Sequence, residues 1–176
     1  MPTPTYTAIA TTTFTSATAS YTFSSIPQTY SDLVLKATVR STTASTTSNL
    51  LCQVNGQTGN YYDGYYLRTD GSSISAARYN KFINPTYAAP IGVMLADSAT
   101  ANAYSIHTIN WNGYSQTNTN KTFLARSNAI FVTNGITELV TNQYFATTAI
   151  SSITLFPEAG NFAVGSTLTL YGIKVA

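Results

Sequence analysis

Leu33-Val34-Leu35-Lys36-Ala37-Thr38-Val39-Arg40 is the stretch of sequence that decides the fold. From Leu33 to Val39 every second side chain is apolar, and Lys36, Thr38 and Arg40 are polar positions between or after them. Successive side chains of a β-strand point to opposite faces of the sheet. The alternation therefore predicts a strand with one face in a core and the other face toward water or a partner.

The rest of the chain repeats this pattern in short runs. β-Branched and aromatic residues alternate with small polar ones, and no long stretch has the apolar spacing of a helix. The sequence predicts an all-β protein, an antiparallel β-sandwich. Besides the strand from Leu33 to Arg40, strands are predicted at Tyr6 to Thr13, Ser20 to Ile26, Asn49 to Val54, Tyr65 to Thr69, Ile91 to Leu95, Tyr104 to Asn110, Phe123 to Val132, Thr137 to Tyr144, Ile150 to Phe156 and Thr167 to Val175.

Turn signals separate these runs. Asn-Gly and Asp-Gly dipeptides accept the positive φ angles of tight reversals, so the strands that flank them are expected to be antiparallel neighbours. They occur at Asn55-Gly56, Asp63-Gly64, Asp70-Gly71, Asn112-Gly113 and Asn134-Gly135. Two longer polar stretches, Ser41 to Ser48 and Asn112 to Asn120, are predicted to be loops outside the core.

The length of the chain indicates one domain, and its composition provides few charged side chains. The 176 residues are divided into an N-terminal arm or first strand at 1–12 and a single sandwich domain at 13–176. Only 8% of the residues are charged, about a third of the usual share. The net charge of +2 comes from scattered side chains, which disfavours nucleic acid as a partner. No apolar run approaches the ~20 residues that span a bilayer, so no membrane partner is predicted.

Candidates for catalysis are few. His107 is the only imidazole, and alternation places it on the same strand face as Ser105 and Ile109. No G-x-S-x-G turn occurs, and Cys52 lies within an apolar strand. His107 is therefore expected to be a structural or interface histidine, and the protein is predicted not to be an enzyme.

The acidic residues and the possible metal ligands also give no sign of a catalytic or metal site. Each acidic residue lies in or beside a predicted turn or exposed edge: Asp32, Asp63, Asp70, Asp97, Glu138 and Glu158. One histidine and one cysteine cannot supply a tetrahedral zinc site within a chain, and no glycine-rich phosphate loop is present. No catalytic residue, no metal site and no cofactor is predicted.

Tyrosine is the residue type that most suggests a contact surface. A cluster at positions 61–66 is joined by Tyr79, Tyr87 and Tyr114. Alternation turns about half of these rings inward, and the others present flat surfaces suited to a protein interface or to sugar stacking. Both alternatives stay open. The predicted contact residues are Tyr6, Ile9, Tyr61, Tyr62, Tyr65, Tyr66 and Tyr114.

Motifs near the two ends of the chain carry a family resemblance. They are YTFSSIPQTYSDLVL at 21–35, ISSITL at 150–155 and GSTLTLYGI at 165–173. Together they resemble β-sandwich virion proteins of tailed bacteriophages, particularly phages of aquatic hosts. The resemblance implies a jelly-roll-like homotrimer that decorates or cements a capsid or forms part of a tail or fibre. It implies no catalytic residue. We expect the first and last motifs to pair or to face each other across the sandwich.

The sequence thus favours a structural virion protein, a capsid decoration (cement) protein on the capsid surface. Its expected partners are the major capsid protein or other virion proteins and further copies of itself. Met1 to Ala10 and Ser41 to Ser48 are the predicted contact segments. The alternative is a tail or fibre component that binds host-surface glycans through exposed tyrosines and Trp111. A hydrolase is disfavoured because no acid, base or nucleophile is evident.

Overall fold

The structure, a computed structural model, describes residues 5–79, 88–132 and 134–174. These residues form β-strands and no α-helix, which confirms the all-β prediction. The strands are β1 (Tyr6–Thr13), β2 (Tyr21–Phe23), β3 (Asp32–Val39), β4 (Thr47–Val54), β5 (Tyr62–Thr69), β6 (Ile74–Tyr79), β7 (Ala89–Leu95), β8 (Ser105–Asn112), β9 (Lys121–Phe131), β10 (Asn134–Tyr144), β11 (Ile153–Pro157) and β12 (Thr167–Ile173).

The strands form two antiparallel sheets. The large sheet has eight strands in the order β1-β12-β3-β8-β9-β10-β5-β6, and the small sheet has four in the order β2-β11-β4-β7. The small sheet lies against one face of the large sheet, here called the inner face, so the predicted antiparallel β-sandwich is confirmed. The jelly-roll connectivity implied by the resemblance stays a prediction.

The core includes the alternating apolar residues of β3. Leu33, Leu35, Ala37 and Val39 on β3 are all buried, as predicted, and they point from the large sheet toward the small one. The terminal motifs also pair as predicted, because β2 pairs with β11 and β3 pairs with β12.

The first strand closes one edge of the large sheet. β1 pairs with β12 so that Tyr6 is opposite Ile173, and the register shifts between Ala8 and Ala10 at a β-bulge. Residues 6–13 of the predicted N-terminal region are therefore a strand of the sheet. Met1 to Pro4, the beginning of the predicted contact segment, lie outside the described residues.

Several turn predictions are corrected by the structure. Asp70-Gly71 joins the hairpin β5–β6 as expected, although the β6 strand itself was not predicted. Asn55-Gly56 is a turn with positive φ at both residues, but it connects strands of different sheets. Asp63-Gly64 is no turn and lies inside β5. The glycine is needed there because a Cβ at position 64 would lie 2.2 Å from the Asn142 side-chain oxygen.

The two polar loops are not entirely outside the core. Ser41 is fully buried and its hydroxyl donates to the Ala159 carbonyl at 2.6 Å, while β4 begins at Thr47, within the stretch predicted as loop. Tyr114 is also fully buried, and its hydroxyl donates to the Pro27 carbonyl. The prediction is wrong at these residues because hydrogen bonds to backbone carbonyls allow polar groups to be buried at low cost.

Candidate functional site

The largest group of buried polar side chains lies beneath β7. This strand ends the small sheet, and all seven of its residues are buried against β8, β9 and β10 of the large sheet. The outer edge of a terminal strand has no neighbouring strand to accept or donate its backbone hydrogen bonds. Inside a core each unpaired group would be costly, so partners must come from elsewhere.

Side chains of the large sheet accept hydrogen bonds from the amides of this edge. The Val93 amide donates to Glu138 Oε2 at 3.0 Å, and the Leu95 amide donates to Ser105 Oγ at 2.8 Å. Glu138 comes from the middle of β10 and Ser105 from the start of β8. Two strands of the facing sheet thus take the place of an adjacent strand.

Two carbonyls of β7 also bond to side chains of the large sheet, and the Leu95 carbonyl accepts from the Ser41 amide at 2.9 Å. Asn142 Nδ2 donates to the Pro90 carbonyl at 2.8 Å, and His107 Nδ1 lies 3.3 Å from the Ile91 carbonyl. We call Ser105, His107, Glu138 and Asn142 the polar seam. Because their partners are backbone groups of β7, the seam fixes how the two sheets lie on each other.

A serine, a histidine and a carboxylate lie on neighbouring strands in this region, and these are the residue types of a hydrolase triad. Cross-strand pairing puts Ser127 between His107 and Glu138 on three neighbouring strands. Among the described residues neither Ser127 Oγ nor His107 Nε2 has a hydrogen-bond partner, and the two side chains are buried. The nucleophile-to-base hydrogen bond that activates a serine is missing from this arrangement.

Glu138 is buried, and several donors contact its carboxyl group. Its Oε1 accepts from Arg68 at 2.8 Å and from the Tyr79 hydroxyl at 2.6 Å. Burial lowers the pKa of Arg68, but the charge and hydrogen bond of Glu138, together with Tyr79, raise it by more, so the pKa is raised overall. Burial, and then Glu138, raises the pKa of Tyr79. The prediction that every carboxylate lies at a turn or exposed edge is wrong for Glu138, because these donors compensate its desolvation.

His107 is uncharged at neutral pH. Its side chain is fully buried, and this burial lowers its pKa from 6.5 to about 4, although the Ile91 carbonyl acts in the opposite direction. A neutral imidazole has one N–H, and the Ile91 carbonyl requires it on Nδ1. The ring therefore serves as a hydrogen-bond donor to β7.

Three of the aromatic residues proposed for contacts are in the core. Tyr62 is buried, where its hydroxyl accepts from the Val54 amide at 2.8 Å, and Tyr114 and Trp111 are fully buried. Neither tyrosine is on the surface of this chain, and Trp111 is not available for stacking on a glycan, so these predictions are corrected. Tyr87 lies outside the described residues.

The remaining contact residues are divided between partly buried and exposed positions. Ile9 and Tyr61 pack partly buried against the core, as does Tyr66, whose ring centroid lies 4.8 Å from that of Tyr79. Tyr6 and Tyr65 are more than half exposed. They are on β1 and β5, six strand spacings or about 29 Å apart, so they do not form one site.

The outer face of the large sheet, turned away from the small sheet, is divided into two halves. One half carries exposed aliphatic side chains on β5, β6, β8, β9 and β10; we call it the apolar half. Its members are Leu67, Ile74, Ile106, Leu124, Ile130 and Leu139. The other, the threonine half, lies on β1, β3 and β12. It presents Thr11, Thr13, Thr38, Thr167 and Thr169, with hydrogen bonds between hydroxyls across β1 and β12.

The apolar half has the size of an interaction surface. The strands that carry it span about four rows of side chains, roughly 20 Å by 20 Å or about 400 Å² of sheet surface, and Thr108, Arg126 and Thr137 lie among its aliphatic side chains. Leu67, Ile74, Leu139 and Arg126 border an open groove of about 290 Å³ on it. Exposed aliphatic side chains clustered on one side of a sheet are a feature of interaction surfaces.

Within residues 5–79, 88–132 and 134–174, no three histidine, cysteine or acidic side chains are close enough to hold a metal ion. The same ranges contain no helix of the length and apolarity that crossing a membrane requires. The thiol of Cys52 is buried, which raises its pKa.

No protein-family model, curated protein or solved structure matches this chain.

Proposed function

We propose that this protein is a structural virion component, a capsid decoration (cement) protein of a tailed bacteriophage that adheres to the shell through the apolar half. The observation that carries the proposal is the asymmetry of the outer face. The exposed leucines and isoleucines of that face lie on β5, β6, β8, β9 and β10, and among the described residues none is exposed on β1, β3 or β12. The proposed partner is the major capsid protein. The resemblance implies that the protein is a homotrimer.

The physical role is to stabilise the assembled shell by binding. An interface of ordinary size buries ~800 Å² on each partner, of which somewhat over half is apolar, or about 450 Å². The six exposed aliphatic side chains of the apolar half would supply part of that apolar area, and the threonines and asparagines among them suit the polar part of an interface. A subunit that binds only the assembled shell stabilises that shell by mass action, without chemistry.

Copy number tests the proposal directly. Quantitative mass spectrometry of purified particles should find hundreds of copies of this chain in each particle. A handful of copies would contradict a decoration role and would point to a tail tip or fibre.

A pair of matched variants tests the surface. Leu67 and Thr169 lie in the same cross-strand row of the outer face, Leu67 in the apolar half and Thr169 in the threonine half. We expect Leu67→Lys to weaken binding to particles that lack the protein at least about tenfold, because it buries an unpaired ammonium group. Thr169→Lys is the control and should bind nearly as well as the wild type. An equal loss of binding in both variants, or no loss in either, would argue against the apolar half as the binding surface.

One groove favours the glycan-binding alternative. Beside the exposed ring of Tyr65, Asp63, Thr122, Thr141 and Gln143 surround an open groove of about 160 Å³. An aromatic face next to hydroxyl, amide and carboxylate groups is suited to stack and hydrogen-bond a sugar. In a tail or fibre component, Tyr65→Ala should abolish binding on a glycan array, while Tyr65→Phe should retain it. A wild-type protein that binds no glycan would dispose of this alternative.

A further inference from the structure

The four sheet edges of the sandwich are not equally protected. Unpaired strand edges attract other strands, and proteins protect them with short strands, bulges, prolines, charges or coverings. In this chain β2 is only three residues long, β1 is interrupted by the bulge between Ala8 and Ala10, and the edge of β7 is covered by the polar seam. Each of these three edges is protected by one of these devices.

Within the described residues the fourth edge, β6, lacks a bulge, a proline and a covering, and Arg78 is its one charged residue. Its sequence, Ile74-Ser75-Ala76-Ala77-Arg78-Tyr79, contains no proline and no lysine, and its pairing with β5 is free of bulges. Five of its six residues are exposed, and among the described residues no strand pairs with its outer side. A regular, exposed edge of this length can pair with another strand.

The hydrogen-bond alternation shows which backbone groups are open. The Asp70 amide donates to the Ser73 carbonyl at the start of the hairpin. In an antiparallel ladder the hydrogen-bonded pairs then recur at every second residue. The amides and carbonyls of Ser75, Ala77 and Tyr79 are therefore bonded to β5. The amides and carbonyls of Ile74, Ala76 and Arg78 therefore point to the outer edge.

A second copy of the same strand fits this edge. Two antiparallel β6 strands related by a two-fold axis at Ala76 place Ala76 opposite Ala76 and Ile74 opposite Arg78 of the other copy. This register joins all the outward backbone groups of both strands in about six hydrogen bonds. It also brings the two apolar halves together on one face of a continuous sheet.

The charges are compatible with this register. Arg78 is neutralised within its own chain by Asp63, with contacts of 2.8 and 2.7 Å, and it would lie beside Ile74 of the other copy. Its aliphatic stem can cover that isoleucine, which is 78% exposed in the single chain. The two Arg78 residues would lie four residues apart along the strands, roughly 13 Å, beyond the screening length at physiological salt.

We infer that β6 pairs with β6 of a second copy of this chain and forms a two-fold contact that continues the large sheet. The contact is isologous and closes at two copies, so it joins two chains or links two oligomers that are built on another surface. It goes beyond the proposed function and does not depend on it, because self-association can be measured without particles.

The test is analytical ultracentrifugation of the full chain over a range of concentrations, with two variants at one position. The wild type should form a species of twice the mass of its smallest form. Ala76→Pro removes an outward amide without breaking the β5 ladder and should raise the dissociation constant at least about tenfold. Ala76→Val keeps the amide and should associate like the wild type. Urea unfolding of each variant checks that the single chain remains folded.

Hydrogen exchange locates the contact. In the wild type the amides of Ala76 and Arg78 should exchange more slowly as concentration rises, and in Ala76→Pro the Arg78 amide should exchange equally fast at all concentrations. A wild type that does not associate up to about 1 mM, or an Ala76→Pro protein that associates as tightly as the wild type, would overturn the inference.

Discussion

Acidification should destabilise this protein through His107, and the size of the effect follows from the structure. The folded state holds the ring buried and neutral, with a pKa lowered from 6.5 to about 4. Between these values the unfolded chain takes up a proton that the folded chain does not. His107 therefore leaves the free energy of unfolding nearly unchanged at pH 7. It lowers this free energy as the pH falls below 6.5, and the loss reaches its full size below about pH 4.

The magnitude is large relative to ordinary stability. A difference of about 2.5 in pKa corresponds to about 3 kcal/mol at pH 4. Domains are typically stable by only 5 to 15 kcal/mol. His107→Asn isolates the effect, because the asparagine amide can donate to the Ile91 carbonyl as Nδ1 does but does not titrate. The variant will be less stable at pH 7, since its smaller side chain leaves a cavity.

The assay is urea unfolding followed by the fluorescence of Trp111, the only tryptophan and a buried one. From pH 7 to pH 4 the wild type should lose about 3 kcal/mol more than His107→Asn, or roughly 1.5 M in urea midpoint. Carboxylates titrate in both proteins and cancel in the comparison. Equal losses in both proteins, or an imidazole NMR resonance that titrates near pH 6.5 in the folded state, would refute the reasoning.

Three further substitutions test the polar seam and the core beside it. Glu138→Ala should lower the free energy of unfolding by about 3 kcal/mol or more, because several buried donors lose their acceptor; a loss below about 1 kcal/mol in urea unfolding would contradict this. Gly92→Ala should destabilise by more than about 2 kcal/mol, since φ is +120° and the new Cβ would lie 2.2 Å from Ser127 Oγ. Adding Ser127→Gly should recover part of that loss, and full recovery would show that the backbone angle is unimportant. Tyr114→Phe should cost about 1 kcal/mol in the same assay by removing the hydrogen bond to the Pro27 carbonyl, and an unchanged stability would show that bond to be dispensable.

The sequence predicted strands well where one face of the sheet is covered. The alternation from Leu33 to Val39 is preserved in the burial of β3 because the small sheet lies over that face. β6 was missed because its sequence has no apolar alternation, and its exposure explains why it needs none. Asp63-Gly64 suggested a turn, but contact with Asn142 on β10 determines that glycine. Such a contact depends on the register of distant strands, which local sequence does not specify.

The polar seam was only partly visible in the sequence. Alternation within β10 puts Glu138 on the same face as Val140, Asn142 and Tyr144, and this signal was available. The charge of Glu138 was instead interpreted as a sign of exposure. What the sequence does not reveal is that a strand of the other sheet would present unpaired amides to this position. The need for a buried acceptor arises only when the two sheets pack.

The pairing of β1 with β12 has a mechanical consequence. Tyr6 lies opposite Ile173, so the chain leaves the sandwich at two neighbouring points on the same corner. A pull applied between these points would peel β1 away rung by rung, which takes little force, instead of shearing all its rungs at once. Attachment at this corner would therefore resist force weakly, and attachment through the broad face of the sheet would resist it better.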